Sequence, residues 1–483
     1  MLRSSRLARR RNLATGVLGL ALALSACVSG PNFQQPASSA PPRYSNAALE
    51  ALGSSVQVGA PGTQDADAPW WAALQCARLD ALIREALERN HDLVAARATL
   101  AQTRELAAAS EAPLYPQVDL TASGGRERYG AAFLGPEHFP PFSFYAVGAA
   151  VSYTFDFAGG VRRSLEQQRA NVSYQQHEVQ AATLSVSGSV ALQALTLASV
   201  RAQIESVEAL LADDQTDLRL VQDAFEAGSA NRVDVLSAQS QRANDETLLP
   251  PLRRELSTAQ HALALLIGRA PGAWSAPDFT LEEFVLPSQL DLTLPSELAH
   301  RRPDILAAEA QLHAATAAVG VAAANMYPQV SLSATGGLQA TMLHALFDAS
   351  AAAGGLTGSL TAPLFNHGAL RERERAARDG LQASLASYEQ VVLTAFGQVA
   401  DALEALDHDA ELMHSEQTAV SVSGENLALT RESYAAGNTG VLQVLEAQRQ
   451  SQQARLGLVR AQGQRYRDTV QLLLALGGQM PPA

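Results

Sequence analysis

The chain has 483 residues, with 35 basic against 48 acidic side chains and a formal charge of -13, the wrong sign for a protein that must embrace nucleic acid. Every basic side chain among the 35 is arginine, and the absence of lysine excludes P-loop phosphate binding and Schiff-base catalysis. Two cysteines, Cys27 and Cys76, are too few for a cysteine-based zinc cluster, and aromatic residues make up only 5 % of a chain rich in alanine, a composition suited to long helices with small interfaces.

At the N terminus the cluster Arg9-Arg10-Arg11 precedes an apolar run over residues 13–24 that stops at Leu24-Ser25-Ala26-Cys27. A basic flank, a short apolar stretch and small residues before the cut describe a secretory signal ending in a lipobox. The run is too short to span a bilayer, which needs about 20 apolar residues. Residues 1–26 are therefore expected to be removed and Cys27 to become the acylated first residue. Cleavage takes five arginines and no acid, leaving 457 residues (483 minus 26) and a charge near -18 (30 basic, 48 acidic). With Cys27 acylated no disulfide forms within one mature chain. Val28 stands where an inner-membrane retention signal would place aspartate, so the outer membrane is the expected destination. No further apolar run of membrane-spanning length stands out, which leaves β-strands as the expected means of crossing.

Beyond an extended segment over 27–69, the chain is written twice. Tyr115-Pro116-Gln117-Val118, leading to Gly124-Gly125, recurs as Tyr327-Pro328-Gln329-Val330, leading to Gly336-Gly337, shifted by 212. Phe225-Glu226-Ala227-Gly228 returns as Tyr434-Ala435-Ala436-Gly437, shifted by 209. The spacing gives repeat 1 over 70–270, a linker or equatorial segment over 271–294, repeat 2 over 295–478 and a tail over 479–483. Each repeat reads as a helix (about 77–112 and 296–325), an extended hairpin and a very long helix that turns back on itself. Alternating polar and apolar residues place strands at about 115–128 and 143–155 in repeat 1, and at about 327–338 and 356–364 in repeat 2.

Apolar residues then recur every seven positions at Val190, Leu197, Ile204, Leu211, Leu218 and Phe225, and again at Val399, Leu406, Met413, Val420, Leu427 and Tyr434. A heptad sustained that long predicts coiled-coil packing. Gly228 and Gly437 end these helices as left-handed C-terminal residues, and Asp234 and Gln443 fall in the first turn of each returning helix. Pro250-Pro251 breaks the first returning helix. Four strands cannot close a membrane barrel, whose smallest forms have eight, so several chains must share one.

Several motifs along the chain carry a family resemblance: Cys27 with Gly30-Pro31-Asn32-Phe33, then Trp70-Trp71, Leu79-Asp80, Arg301-Arg302-Pro303-Asp304-Ile305 and Pro363-Leu364-Phe365-Asn366. Together they resemble the lipoprotein branch of the TolC-like outer-membrane factor family, the exit ducts of tripartite efflux systems. The resemblance implies an α+β membrane protein, a homotrimer whose twelve strands form one barrel continued by a twelve-helix tunnel. It also implies a periplasmic adaptor (a membrane fusion protein), an inner-membrane pump of the resistance-nodulation-division class, and outer-membrane lipid as partners. It places a gate at the helical tips, with Leu442 as an apolar constriction, Glu446 as an acidic ring, and Gln443 and Asp234 beside them. No cofactor beyond the lipid on Cys27 is implied.

Catalytic constellations are not evident. His408 and His414 sit on different faces of one helix and do not make a metal site, and acid pairs such as Asp213-Asp214 show no convergent partner in sequence. The chain is accordingly read as no enzyme. A periplasmic coiled-coil scaffold lipoprotein without channel activity is the alternative, and it leaves the matched pairs of strands without a purpose.

Overall fold

A computed structural model describes residues 29–36, 57–58, 69–128, 140–287, 289–290, 298 and 300–478. The signal segment over 1–26, Cys27 and the tail over 479–483 lie outside the described residues. In chain order the main elements are β1 (Gln57–Val58), α1 (Ala77–Arg89), α2 (His91–Ala109), β2 (Gln117–Glu127), β3 (Phe142–Phe155) and α3 (Gly160–Glu226). They continue with α4 (Arg232–Glu246), α5 (Leu249–Leu266), β4 (Gln289–Leu290), α6 (Pro303–Ala324), β5 (Gln329–Ala340), β6 (Ala352–Thr361), α7 (Ala369–Ala435) and α8 (Val441–Ala475). Two compact units interleave along the chain. One gathers the described residues of Thr99–Gln176, of Ala307–Tyr388 and up to Pro36; the other gathers the described residues of His177–Leu306, of Glu389–Ala483 and between Ala37 and Ala98.

The first unit holds a four-stranded antiparallel sheet in the order β2-β3-β5-β6. The register puts Val118, Val151, Ala334 and Leu356 in one row and Leu120, Ala149, Gly336 and Gly354 in another, all on one face. The opposite face carries rows such as Gln117, Ser152, Ser333 and Thr357. This is the period of two expected of strands with unlike surroundings on their two sides. The apolar face is bare: Leu120 is 79 % and Leu356 72 % exposed. Glycines let β3 and β5 approach closely, since a Cβ on Gly337 would lie 2.4 Å from the Val147 carbonyl oxygen. Such positions give a sheet the freedom to coil toward closure. The short pair β1-β4, two residues in each strand, is parallel and was not expected.

The second unit is helical. Both α3 and α7 have 67 residues, roughly 100 Å at 1.5 Å per residue, and each contains its heptad run. Val190, Leu197, Leu218, Val399, Leu406 and Leu427 of those heptads are buried, while Phe225 is 41 % exposed, so the seam of α3 ends one heptad early. Its main core gathers Trp70, Trp71, Leu74, Leu79 and Ile83 around Val190, Leu197, Leu263, Phe279 and Phe284. The Trp70 indole donates to Ser187 Oγ and that of Trp71 to Asp80, which explains why aromatic rings with a polar atom are tolerated there.

Three expectations change. The helix expected over 77–112 is two helices, because Asn90 leaves helical geometry, caps Leu93 N–H through Oδ1 at 3.0 Å and donates Nδ2 to the Leu266 carbonyl. In its counterpart Leu298 is helical, residues 300–302 leave helical geometry and α6 begins at Pro303, proline being suited to the first helical position. Finally, α3 and α6 each contain a stretch long and apolar enough to cross a membrane by composition, where none was expected. Half of each stretch is buried against the rest of the chain, which accounts for its apolar character as core.

Candidate functional site

Each long helix ends in the same hydrogen-bonded turn. Gly228, at φ +77°, donates to the Phe225 carbonyl while Ser229 N–H reaches Ala224 O; Gly437, at φ +75°, donates to Tyr434 O while Asn438 N–H reaches Ser433 O. This is the pairing of a helix end closed by a left-handed residue, where a side chain would strain the backbone. Both glycines fill the turning role read from the sequence.

The turns lead into unequal helix starts. On α4 the Asn231 Oδ1 accepts from Val233 and Asp234 N–H, and the Asp234 carboxylate accepts from Asn231 N–H at 2.9 Å. Asp234 is therefore the fourth corner of a capping box, fixing the angle at which the chain turns back. On α8 the cap position is Gly440, with no side-chain cap, and Gln443 Oε1 folds back toward it. The second tip lacks the capping box that braces the first.

Four helices meet just behind the turns, where Leu218 and Val221 of α3, Val235 and Ala238 of α4, Tyr434 of α7, and Val441 and Leu445 of α8 form one apolar layer. Burial of Val441 and Leu445 fixes the rotation of α8. Leu442 and Glu446, one residue on in each turn, consequently share an exposed stripe, and Leu442 is 49 % exposed. Glu446 is clamped by Arg449, whose Nη2 donates to Oε1 at 2.7 Å and to Oε2 at 2.9 Å, and by Gln450 Nε2 at 2.9 Å. The Arg449 bonds, helped by Gln450, hold the Glu446 carboxyl below its ordinary range, so it stays charged. Arg449 was not foreseen; its position one turn after Glu446 was the available signal.

A second constellation holds the N-terminal segment in the sheet-bearing unit. Arg163, near the start of α3, is 3 % exposed. It donates Nε to Ser29 O at 3.1 Å, Nη2 to Asn32 Oδ1 at 2.7 Å and Nη1 to Glu166 Oε2 at 2.7 Å. Glu166 Oε1 meets the His313 ring at 2.9 Å, and Phe33 stacks on that ring at 4.4 Å. Ser29 N–H donates to Ala158 O, three residues past β3. Gly30, at φ +86°, lies against Gly320, where a Cβ would fall 2.5 Å from the Gly320 Cα. Burial acts to raise the Glu166 carboxyl, but hydrogen bonds from His313 and Arg163 outweigh it and leave it low.

Among the described residues no group of three or more His, Cys, Asp or Glu is placed to hold a metal ion. One sequence reading is corrected: Asp213-Asp214 does have a convergent partner, Asp245, brought opposite by the return of α4.

A family profile described as outer membrane efflux protein matches residues 82–269 and 294–478. The chain is 32 % identical over 417 residues to a protein of Pseudomonas aeruginosa called pyoverdine export outer membrane protein OpmQ, covering 85 % of this chain and 87 % of that one. It is 27 % identical over 462 residues to the cation efflux system protein CusC of Escherichia coli K12, covering 95 % and 98 %. Its fold matches the outer-membrane channel OprN with a TM-score of 0.87 at 27 % identity, over 94 % of this chain and 99 % of that one.

Proposed function

This chain belongs to the outer membrane efflux protein family, and we propose that three copies form its working unit, a passive exit duct completed by a periplasmic adaptor and an inner-membrane pump of the resistance-nodulation-division class. It acts at the outer membrane, in export. The observation that carries the trimer is the four-stranded sheet with one bare apolar face and two edges, β2 and β6, that have no partner among the described residues. Unpaired edges are not tolerated in lipid, and four strands are too few to close. Three copies give twelve strands, with Leu120 and Leu356 toward lipid and the Ser, Thr and Gln face toward the lumen.

The gate belongs to the same reading. Three Leu442 side chains on the axis exclude water, three Glu446 carboxylates with their Arg449 partners set the charge of the mouth, Asp234 braces the first turn and Gln443 lies beside the gate at the second. Cys27 carries the lipid, two residues ahead of the segment that Arg163 holds. OpmQ is described as exporting pyoverdine and CusC as a cation efflux protein; for this chain small molecules handed over by the pump are the proposed cargo. Light scattering of the detergent-solubilised protein tests the reading. The protein part of the particle should weigh three chains, and a stable monomer or dimer overturns it.

A further inference from the structure

Beyond the apolar layer at the tips lies a polar one. Asp214 of α3 (4 % exposed) faces Asp245 of α4, with Asp217 and Asp213 of α3 beside it, and from α8 Gln448 and Gln452 close the layer. A second apolar cluster follows, built from Val200, Val207, Leu249 and Leu252. The carboxylates are thus walled between two dry layers, where an unbalanced charge is costly.

The layer is incompletely satisfied. Gln452 Nε2 donates to Asp213 Oδ2 at 3.2 Å, Gln241 Nε2 to Asp245 Oδ2 at 2.7 Å, and Arg431 of α7 to Gln448 Oε1 at 2.8 Å. Yet Asp214 Oδ2, Asp217 Oδ2, Gln448 Nε2 and Ser451 Oγ, all more than nine-tenths buried, have no hydrogen-bond partner. The cations in reach are occupied elsewhere or lie aside: Arg431 acts on Asp217, Arg449 holds Glu446 while feeling Asp245, and Arg242 pairs with Glu246. Asp214 faces Asp245 with no cation of its own. Two carboxyls in that position are satisfied by one shared proton.

We propose that this layer is a proton-dependent latch behind the gate: while Asp214 and Asp245 hold one proton between them α3 stays packed on α4 and α8, and its loss sets two carboxylates against each other and loosens the tips. Burial, the facing Asp245, and then Asp217 and Asp213 together push the Asp214 carboxyl up to about 7. The sign follows from linkage: the packed layer binds a proton that the loosened layer gives up, so raising the pH through about 7 favours loosening. The capping box holds the turn into α4, so what yields is the packing of α3 on α4 and α8 behind it. The link to opening rests on the duct reading; the proton chemistry does not.

Hydrogen exchange of the intact trimer tests the latch. Amides over 218–238 and 434–448 are followed at pH 6 and pH 8, each corrected for intrinsic exchange. Over that range the ionised fraction of a group titrating near 7 rises from about a tenth to about nine tenths. Tip exchange in the wild type should rise by up to about ninefold while the sheet stays unchanged. Asp214→Asn keeps the shape and donates to Asp245 without a titrating proton, and should flatten the profile. Asp245→Asn is the second variant and should do the same. A flat wild-type profile, or an undiminished rise in both variants, overturns the latch. Bilayer conductance over the same pH range reads the duct separately: current that grows with pH in the wild type alone supports the latch, whereas a particle that passes no current contradicts the exit-duct reading, so the two failures are distinguishable.

Discussion

Arg163→Ala should release the N-terminal segment from the body of the protein. The guanidinium is almost wholly buried and bridges Ser29 O, Asn32 Oδ1 and Glu166 Oε2 at 2.7 to 3.1 Å, with a weaker 3.4 Å bond to Gly30 O. Hydrogen bonds to a charged group contribute about 1.5–3 kcal/mol each but are not additive, and breaking a buried ion pair by removing one partner costs about 3–5 kcal/mol. Taking roughly 3–5 kcal/mol for the set, docking of residues 29–35 weakens by about two to three and a half orders of magnitude at 1.4 kcal/mol per decade. Arg163→Lys restores a charge but not the fork, and should recover only part. The assay is limited proteolysis with mass readout of the new N terminus. The wild type should resist cleavage over 29–35, the alanine variant should be clipped there, and the trimer mass should not change. Equal resistance in both proteins would refute the assignment of Arg163 as the clasp. Because Glu166 is held low, its part of the docking is present above the ordinary carboxylate range and is lost as the pH falls below it, so the wild-type segment should loosen only under strongly acid conditions.

Gly337→Ala puts a methyl group within 2.4 Å of the Val147 carbonyl oxygen and 2.5 Å of the Gly148 Cα, and overpacking of this kind costs about 1–3 kcal/mol in each copy. On gels the proposed trimer should dissociate at a lower temperature than that of the wild type, and an unchanged transition would mean that β3 and β5 do not approach so closely. Cys27→Ser should abolish incorporation of labelled palmitate, and full labelling would remove Cys27 from its role. Glu446→Gln leaves Arg449 without its carboxylate partner, so cation preference in bilayers should fall or reverse at low salt. The change should fade as the Debye length shrinks from about 30 Å at 0.01 M to 3 Å at 1 M, and wild-type selectivity at 0.01 M would exclude Glu446 from the constriction.

Elements written as periodicity were legible in the sequence. The heptads of α3 and α7, the alternation in β2 and β5, and the glycines that end both long helices follow from local rules repeated over many residues. What escaped is long-range. Asn90 divides α1 from α2 because its side chain finds the Leu266 carbonyl, 176 positions away, and Arg163 reaches back more than 130 positions to Ser29, Gly30 and Asn32. Asp213-Asp214 shows no convergent partner in sequence until the return of α4 brings Asp245 opposite Asp214. The start of β6 at Ala352 was missed because Ala352-Ala353-Gly354-Gly355 lacks the β-branched signal, its pairing being imposed by β5. Asp234 was placed correctly on the first turn of α4, but its capping role depends on Asn231, three positions earlier.

The central claim, a duct held shut at its helical tips, is tested most directly by planar-bilayer recording of Leu442→Ser beside the wild type. The serine removes an apolar side chain from an exposed stripe without touching Val441 or Leu445, which hold α8 in the tip layer. The account predicts higher single-channel conductance with the three-chain mass retained; equal conductance in the two proteins would contradict a constriction at Leu442.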